Sequence, residues 1–474
     1  MANSQKNDEV TLTFYGAAGT VTGSKHLICF NHEKILLDAG LFQGLKELRL
    51  RNWNEPPFDP VKLDAIVLSH AHIDHSGYLP VLVKKKFRHP IFCTAGTAAL
   101  LDIMLKDAAK LQEEDARYAN KKGYSKHKPA LPLYTGEDVR ETLKYLKPKS
   151  FNKEFKVTGD ITANFRYAGH ILGAAIVELK LGKKNPLKIV FSGDLGRWNQ
   201  PLIKDPELVE EADVLMLEST YGNRIHAQNA HEELARVINE SVKKKGVLII
   251  PAFAVGRTQE LVWIIRELEK KKLIPVLHVF VDSPMATDVT ALYEQCADEF
   301  DEETKKMLSR GDAPIETEKF KLISDYEDSK KLNRISGPMI IISSSGMITG
   351  GRVLHHLEDR IDDTRTTILL AGFQAAGTRG RHLKEGATTL RFHGHDVPVK
   401  AKIECIDGLS AHADQNEIFR WLKGFKRPPK KTYIVHGESE SARTLADKIA
   451  ADLGWNVDVA IDGQTVDLSA IKNA

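Results

Sequence analysis

The segment 69–77 reads SHAHIDHSG and gathers His70, His72, Asp74 and His75 in one short string. Imidazoles and a carboxylate are the donors that Zn2+ and similar borderline cations take. At the end of a strand, residues two apart project to the same side, so His70 and His72 can share one ion. Asp74 and His75, in the turn that follows, reach a neighbouring position. A second ion needs donors that this string does not supply. The candidates are histidines and aspartates directly after strand-like runs: His170 in FRYAGHILGAA, Asp194 closing KIVFSGD after Gly193, and His436 closing TYIVHGE. Each taken alone reads as a cap or turn residue. Together they complete a donor set with room for a bridging carboxylate. Asp38, closing ILLDAG, reads as a group that orients a ligand rather than as a ligand.

Bringing these side chains to one rim takes strands that end together. Short apolar runs closed by Gly or Ser recur at 10–20, 34–40, 63–72, 187–194, 213–222, 246–256, 338–346, 366–377 and 431–438. Such runs predict buried strands, and helical patterns between them, such as GRTQELVWIIRELEKKK at 256–272, predict an α/β layered protein. Open α/β sheets assemble their sites just past strand ends.

The 474 residues amount to roughly three domain equivalents. Hydrophobic content of 42% with 28% charged residues excludes a disordered chain. The 67 basic and 64 acidic side chains leave +3, which excludes a polycationic protein and confines nucleic-acid binding to local patches. Cys29, Cys93, Cys296 and Cys405 form no CxxC pair, which argues against a disulfide framework or a structural zinc knuckle and fits a reducing, cytoplasmic setting. The first ten residues are polar and no apolar run reaches membrane-spanning length, so no membrane partner is expected.

The three-lysine runs at 84–86, 243–245 and 270–272 read as solvated helix ends. The stretch KKGYSKHKP at 121–129, with Tyr118 and Tyr124 among its cations, reads either as a hold for single-stranded nucleic acid or as an exposed basic loop. RFHGHDVP at 391–398 places His393 and His395 at metal-like spacing, but Gly394 and Asp396 mark a turn and no acid follows as Asp74 does; it reads as a surface hairpin. His355 and His356 receive no role.

HAHIDH followed by separate His and Asp motifs resembles the metallo-β-lactamase superfamily of metal-dependent hydrolases. The chain is also similar to its β-CASP branch of RNA and DNA nucleases, which includes the nuclease subunit of the cleavage and polyadenylation specificity factor and its bacterial homologues. LMLESTYG supplies the branch's motif A acid as Glu218, DGLSAHADQ its motif B histidine as His412, and YIVHGE its motif C histidine as His436. PAFAVGRTQE, DSPMA, SSSGMITGGR and FQAAGTRGR are further segments of the branch's kind. The likeness runs from about residue 10 to 470, and it leads us to expect neither the N-terminal RNA-binding extension of archaeal members nor the long C-terminal domain of ribonuclease J. It implies an αββα sandwich with an inserted α/β β-CASP domain and the active site in the cleft between them. The sandwich is expected at 1–207 and 390–474 and the insertion at 208–389. It also implies ligand roles: His70, His72 and His170 for one ion, Asp74, His75 and His436 for the other, and Asp194 bridging.

The function expected is therefore a ribonuclease holding two Zn2+, with Mn2+ or Fe2+ as alternatives. It would hydrolyse single-stranded RNA in RNA processing or decay, mainly endonucleolytically and with exonuclease action also open. A bridging hydroxide is expected as nucleophile, His412 as general acid for the departing 3′ oxygen and Glu218 as its orienter, leaving 5′-phosphate and 3′-hydroxyl ends. Histidine at motif C, where DNA-repair members carry valine, favours RNA. In the insertion, Ser344, Ser345 and Gly346, between a strand and a helix-like stretch, are candidate phosphate binders through backbone N–H groups. Arg257, Arg352, Arg379 and Arg381 are candidates either for phosphate contacts or for structural ion pairs. A small-molecule thioester or lactone hydrolase, a DNA nuclease and a non-enzymatic nucleic-acid scaffold are the competing readings, and the oligomeric state is left open between monomer and homodimer.

Overall fold

The computed structural model describes residues 8–123 and 127–473. All nine apolar runs singled out above contain a strand. The chain divides into two compact units, one of residues 1–198, 205–225 and 412–474 and the other of 199–204 and 226–411.

The first unit carries two seven-stranded sheets. One runs Thr465–Asp467, Val10–Phe14, His26–Phe30, Glu33–Leu37, Ala65–Val67, Ile91–Thr94, Leu146–Lys149 in spatial order; the other runs Val457–Val459, Lys431–Val435, Val214–Glu218, Leu187–Phe191, Ala175–Leu181, Ile161–Tyr167, Phe155–Lys156. Alternate residues of both, among them Leu12, Phe14, Ile35, Leu37, Val67, Phe191, Val214, Met216 and Val435, share one buried cluster. The intervening Leu36, Ile66, Leu215 and Ile434 are also buried but lie outside it. Because side chains alternate across a strand, both faces of these strands are covered. Helix Ala95–Lys122 packs on the edge of the first sheet and helix Ser439–Leu453 on that of the second, which completes the αββα layering. Double coverage explains the unbroken apolar runs that made these strands legible.

The second unit is built on a six-stranded all-parallel sheet, Lys319–Ile323, His278–Asp282, Met339–Ser343, Val247–Pro251, Thr367–Leu370, Lys402–Cys405. Helix Arg257–Lys270 falls where the sequence predicts it. The hairpin Thr389–Phe392/His395–Pro398 turns on His393 and Gly394, both at positive φ (43° and 102°), a two-residue connection of the kind Gly permits.

Apart from the short segment 199–204, the unit boundaries lie at 225/226 and 411/412, where the sequence places them at 207/208 and 389/390. Val214–Glu218 pairs with Leu187–Phe191 and Lys431–Val435 and so belongs to the sandwich. Lys402–Cys405 pairs with Thr367–Leu370 and so belongs to the second sheet. The three-lysine runs end helices Leu79–Lys84, Ala230–Lys243 and Arg257–Lys270. The four cysteines are free, and among the described residues no helix is long and apolar enough to cross a membrane.

Candidate metal centre

Strand ends deliver most of the donors. Leu187–Phe191, Val214–Glu218 and Lys431–Val435 are parallel neighbours, so their C-terminal ends share one edge. Asp194 follows the first, Glu218 closes the second, and His436 follows the third. In the facing sheet, Glu33–Leu37 and Ala65–Val67 are parallel neighbours, followed by Asp38 and by Ser69–His70 respectively. The chain then turns through His72 into the short helix Ile73–Ser76, which carries Asp74 and His75. Asp38, Gly193 and His436 leave their strands at φ of 59°, 54° and 49°. For Asp38 and His436 that left-handed geometry costs on the order of 1–3 kcal/mol, a cost characteristic of functional positions.

Close backbone approach sets these segments against each other. Ala39 N–H donates to His75 O at 2.7 Å and Leu41 N–H to Ile73 O at 2.9 Å. A Cβ on Gly40 would lie 1.5 Å from Asp74 O, so only glycine fits there.

Three groups of donor atoms result. His70, His72, His170 and Asp194 bring ligand atoms within 4.8 Å of one another, as do Asp74, His75 and His436, and again Asp194, Glu218 and His412. In the first group His72 Nδ1 lies 3.1 Å from His70 Nε2 and 3.2 Å from His170 Nε2. Asp194 Oδ2 stands 3.4 Å from His70 Nε2 and 3.5 Å from His170 Nε2. In the second, His75 Nε2 and His436 Nε2 are 3.0 Å apart. Asp194 Oδ1 stands 3.3 Å from His75 Nε2 and 3.4 Å from His436 Nδ1. One carboxylate thus offers a different oxygen to each histidine set.

The donor chemistry fits cations. Asp194 Oδ1 is buried and faces only histidine nitrogens at 3.3 and 3.4 Å, none in good hydrogen-bond geometry, a costly condition for a carboxylate oxygen that a metal bond relieves. Burial holds His70 below its usual pKa, aided by nearby His75, and brings His72 down to about 3; burial and His412 hold His170 well below. These three imidazoles are therefore neutral near pH 7, the form that ligates. His75 is the exception: burial opposes its charge, but Asp194 and Asp38 hold its pKa well above the usual value, so a cation at Nε2 displaces a proton.

Asp38 is placed as an orienting group. Its Oδ2 accepts from His75 Nδ1 at 2.6 Å, and it also accepts from Ser69 N at 2.8 Å, Ser69 Oγ at 3.0 Å and Ser24 Oγ at 3.2 Å. With Nδ1 carrying the proton, the His75 Nε2 lone pair faces the cluster. Ser69, Ser24 and Thr220, whose Oγ1 lies 3.2 Å from His436 Nδ1, were not singled out in the sequence. The only signal for Ser69 and Thr220 is their position beside a motif residue, Ser69 before His70 and Thr220 in LESTYG.

Glu218 is fully buried and its Oε1 accepts the Leu195 N–H at 2.6 Å, which locks the carboxylate. His412 Nδ1 lies 3.2 Å from Glu218 Oε2 and 3.9 Å from Asp194 Oδ2. Burial opposes charge on His412, but Glu218 and Asp194 outweigh it and raise the pKa to about 9. The imidazolium form therefore prevails at neutral pH, a proton donor beside the donor cluster.

The candidate phosphate contacts are engaged within the second unit. Arg257 is buried and pairs with Glu260 at 2.8 Å. Arg352 pairs with Asp282 at 2.7 Å and donates to Ile323 O and Ser324 O. Arg379 donates to Arg391 O, and Arg381 pairs with Glu385. Ser344, Ser345 and Gly346 follow the strand Met339–Ser343, with Ser344 Oγ bonded to Ser283 Oγ at 2.7 Å. Tyr118 lies on helix Ala95–Lys122 with Lys122 Nζ 5.9 Å from its ring centre; Tyr124 falls outside the described residues.

A layered sandwich with clustered histidines and acids at its strand ends defines a metal-dependent hydrolase scaffold, and comparison with known proteins agrees. Residues 33–249 match the beta-lactamase superfamily domain, 258–383 the Beta-Casp domain, and 396–460 the Zn-dependent metallo-hydrolase RNA specificity domain. The chain belongs to the β-CASP family of the metallo-β-lactamase superfamily. It is 34% identical to Ribonuclease TTHA0252 of Thermus thermophilus, over 95% of this chain and 98% of that protein. It is 30% identical to the RNase J-like protein of Methanocaldococcus jannaschii, over 92% and 94% respectively. Transcription termination factor FttA of Methanosarcina mazei is 28% identical, over 94% of this chain and 69% of its own length. A solved structure from Enterococcus faecalis, of a protein of unknown function, shares the fold with a TM-score of 0.52 at 14% identity, covering 97% of this chain and 100% of its own.

Proposed function

We propose that this chain is a two-zinc ribonuclease that hydrolyses phosphodiester bonds of single-stranded RNA, mainly at internal positions. The observation that carries the reading is Asp194, whose two oxygens face two separate histidine sets beside a charged His412. His70, His72 and His170 would hold one ion and Asp74, His75 and His436 the other, with Asp194 offering one oxygen to each set. Imidazole and carboxylate donors favour zinc, with manganese or iron as substitutes. Bound there, the ion pair supplies an acidified water and positive charge for the phosphate oxygens.

The chain's own residues do the rest. Asp38 fixes the tautomer of His75. Glu218, itself locked by Leu195 N–H, orients His412 and keeps it protonated, and His412 gives that proton to the departing 3′ oxygen. The products carry 5′-phosphate and 3′-hydroxyl ends. Names of two relatives, a ribonuclease and an RNase J-like protein, support RNA as the substrate.

The test is cleavage of a 5′-labelled RNA and its DNA counterpart by wild type and His412→Ala, with metal analysis of both proteins. The expected result is internal cleavage of RNA by wild type and a loss of roughly 10²–10⁴ in rate for the variant at unchanged metal content. Intact RNA with metal-loaded wild type, or full activity of His412→Ala, overturns the reading.

A further inference from the structure

We propose that His355, Glu358, His393 and His395 form a separate metal site on the second unit, built for a zinc-class divalent cation. His355 and Glu358 are one turn apart on helix Val353–Arg360, hence neighbours on one face. The helix cannot rotate that face away, because Val353 and Leu357 are fully buried and His356 bonds inward to Asp282 Oδ2 and Asn333 Oδ1, both at 2.6 Å. The hairpin is equally fixed: Leu390 and Phe392 sit in the same apolar cluster as Val353 and Leu357. Its turn at His393–Gly394 therefore stands over the outward face of the helix.

The donor atoms converge on one carboxylate. Glu358 Oε2 lies 2.8 Å from His393 Nδ1, and Oε1 lies 3.0 Å from His395 Nε2. The His355 and His393 rings stack at 5.2 Å and 16°. Ligand atoms of His355, Glu358 and His393 lie within 4.8 Å of one another. In a tetrahedral site with bonds of about 2.0–2.1 Å, ligand atoms stand roughly 3.3 Å apart. The two carboxylate–imidazole separations need to open by only a few tenths of an ångström. Two imidazoles and a carboxylate, with His395 on the second carboxylate oxygen, select Zn2+, Co2+, Ni2+ or Cu2+ over Mg2+ or Ca2+. The carboxylate beside the hairpin histidines is not Asp396 of RFHGHDVP but Glu358, 35 residues before His393, so the cation would pin the hairpin to the helix.

The experiment is equilibrium dialysis of the full chain against micromolar zinc, followed by metal analysis, for wild type, His393→Ala and Glu358→Gln. Far-ultraviolet circular dichroism checks that each variant is folded. Both variants are expected to hold one equivalent fewer than wild type, with affinity for that equivalent down at least about tenfold and RNA cleavage unchanged. The readout is a difference of one equivalent, so it does not depend on how many ions the main centre holds or on what it cleaves. Equal stoichiometry in all three folded proteins overturns the proposal. So does a difference that emerges only at millimolar zinc, which marks an adventitious ion only.

Discussion

Asp38→Asn isolates what a group that touches no cation does for the centre. Both Asp38 oxygens act only as acceptors: Oδ1 from Ser69 N and Oγ, Oδ2 from His75 Nδ1 and Ser24 Oγ. An amide has one acceptor end. If its oxygen faces His75, its NH2 meets the Ser69 N–H, donor against donor. If its NH2 faces His75, the imidazole must move its proton to Nε2, the nitrogen 3.3 Å from Asp194 and 3.0 Å from His436. The first orientation keeps the tautomer but loses the Ser69 anchor that positions it, and the second takes away the ligand form of His75 itself. The expected loss in zinc affinity is about 10–100-fold, or about 1.4–2.7 kcal/mol. Competition with a chromophoric chelator reads the affinity, and thermal unfolding of the metal-free proteins separates it from damage to the fold. Zinc bound by Asp38→Asn as tightly as by wild type would refute the claim that Asp38 sets the His75 tautomer.

Other outcomes follow from the same geometry. Asp194→Ala should lose RNA cleavage and at least one metal equivalent while its circular dichroism stays native, because the residue faces donors rather than core; global unfolding would count against its bridging role. Glu218→Gln should keep the metal but lower kcat by on the order of 10²-fold or more as His412 loses its charged partner; steady-state kinetics on the labelled RNA decides. Gly196→Ala should disturb His170, since a Cβ there would lie 1.6 Å from Gly169 O; metal content and unfolding midpoint should both fall.

The strands were legible because burial on two faces leaves unbroken apolar runs, and the donors were legible because they sit just past those runs. Pairing was not. Val214–Glu218 joins Lys431–Val435 across more than two hundred residues, and nothing in either run distinguishes a sandwich strand from one in the second sheet, so the unit boundaries shifted. The arginines kept two readings, phosphate contact and ion pair, for a related reason: Arg352 reaches Asp282, seventy residues away, and only a folded chain reveals that its charge is already matched. Ser69 and Thr220 escaped notice because small hydroxyls past strand ends are the ordinary material of turns. Glu358 beneath His393 and His395 shows the same limit on the surface, where the carboxylate that meets the two imidazoles comes from a helix rather than from the adjoining Asp396.

His75 and His436 touch although 361 positions separate them. During synthesis, which runs from the N-terminus, the strands from Val10–Phe14 to Leu146–Lys149, with HAHIDH beside them, are made long before Lys431–Val435 and Thr465–Asp467. Until His412 and His436 arrive, the nascent chain lacks both the proton donor and one wall of the cation pair. A chain that ends between Asp194 and residue 412 would keep the donors His70, His72, His170 and Asp194 but lack both His412 and His436.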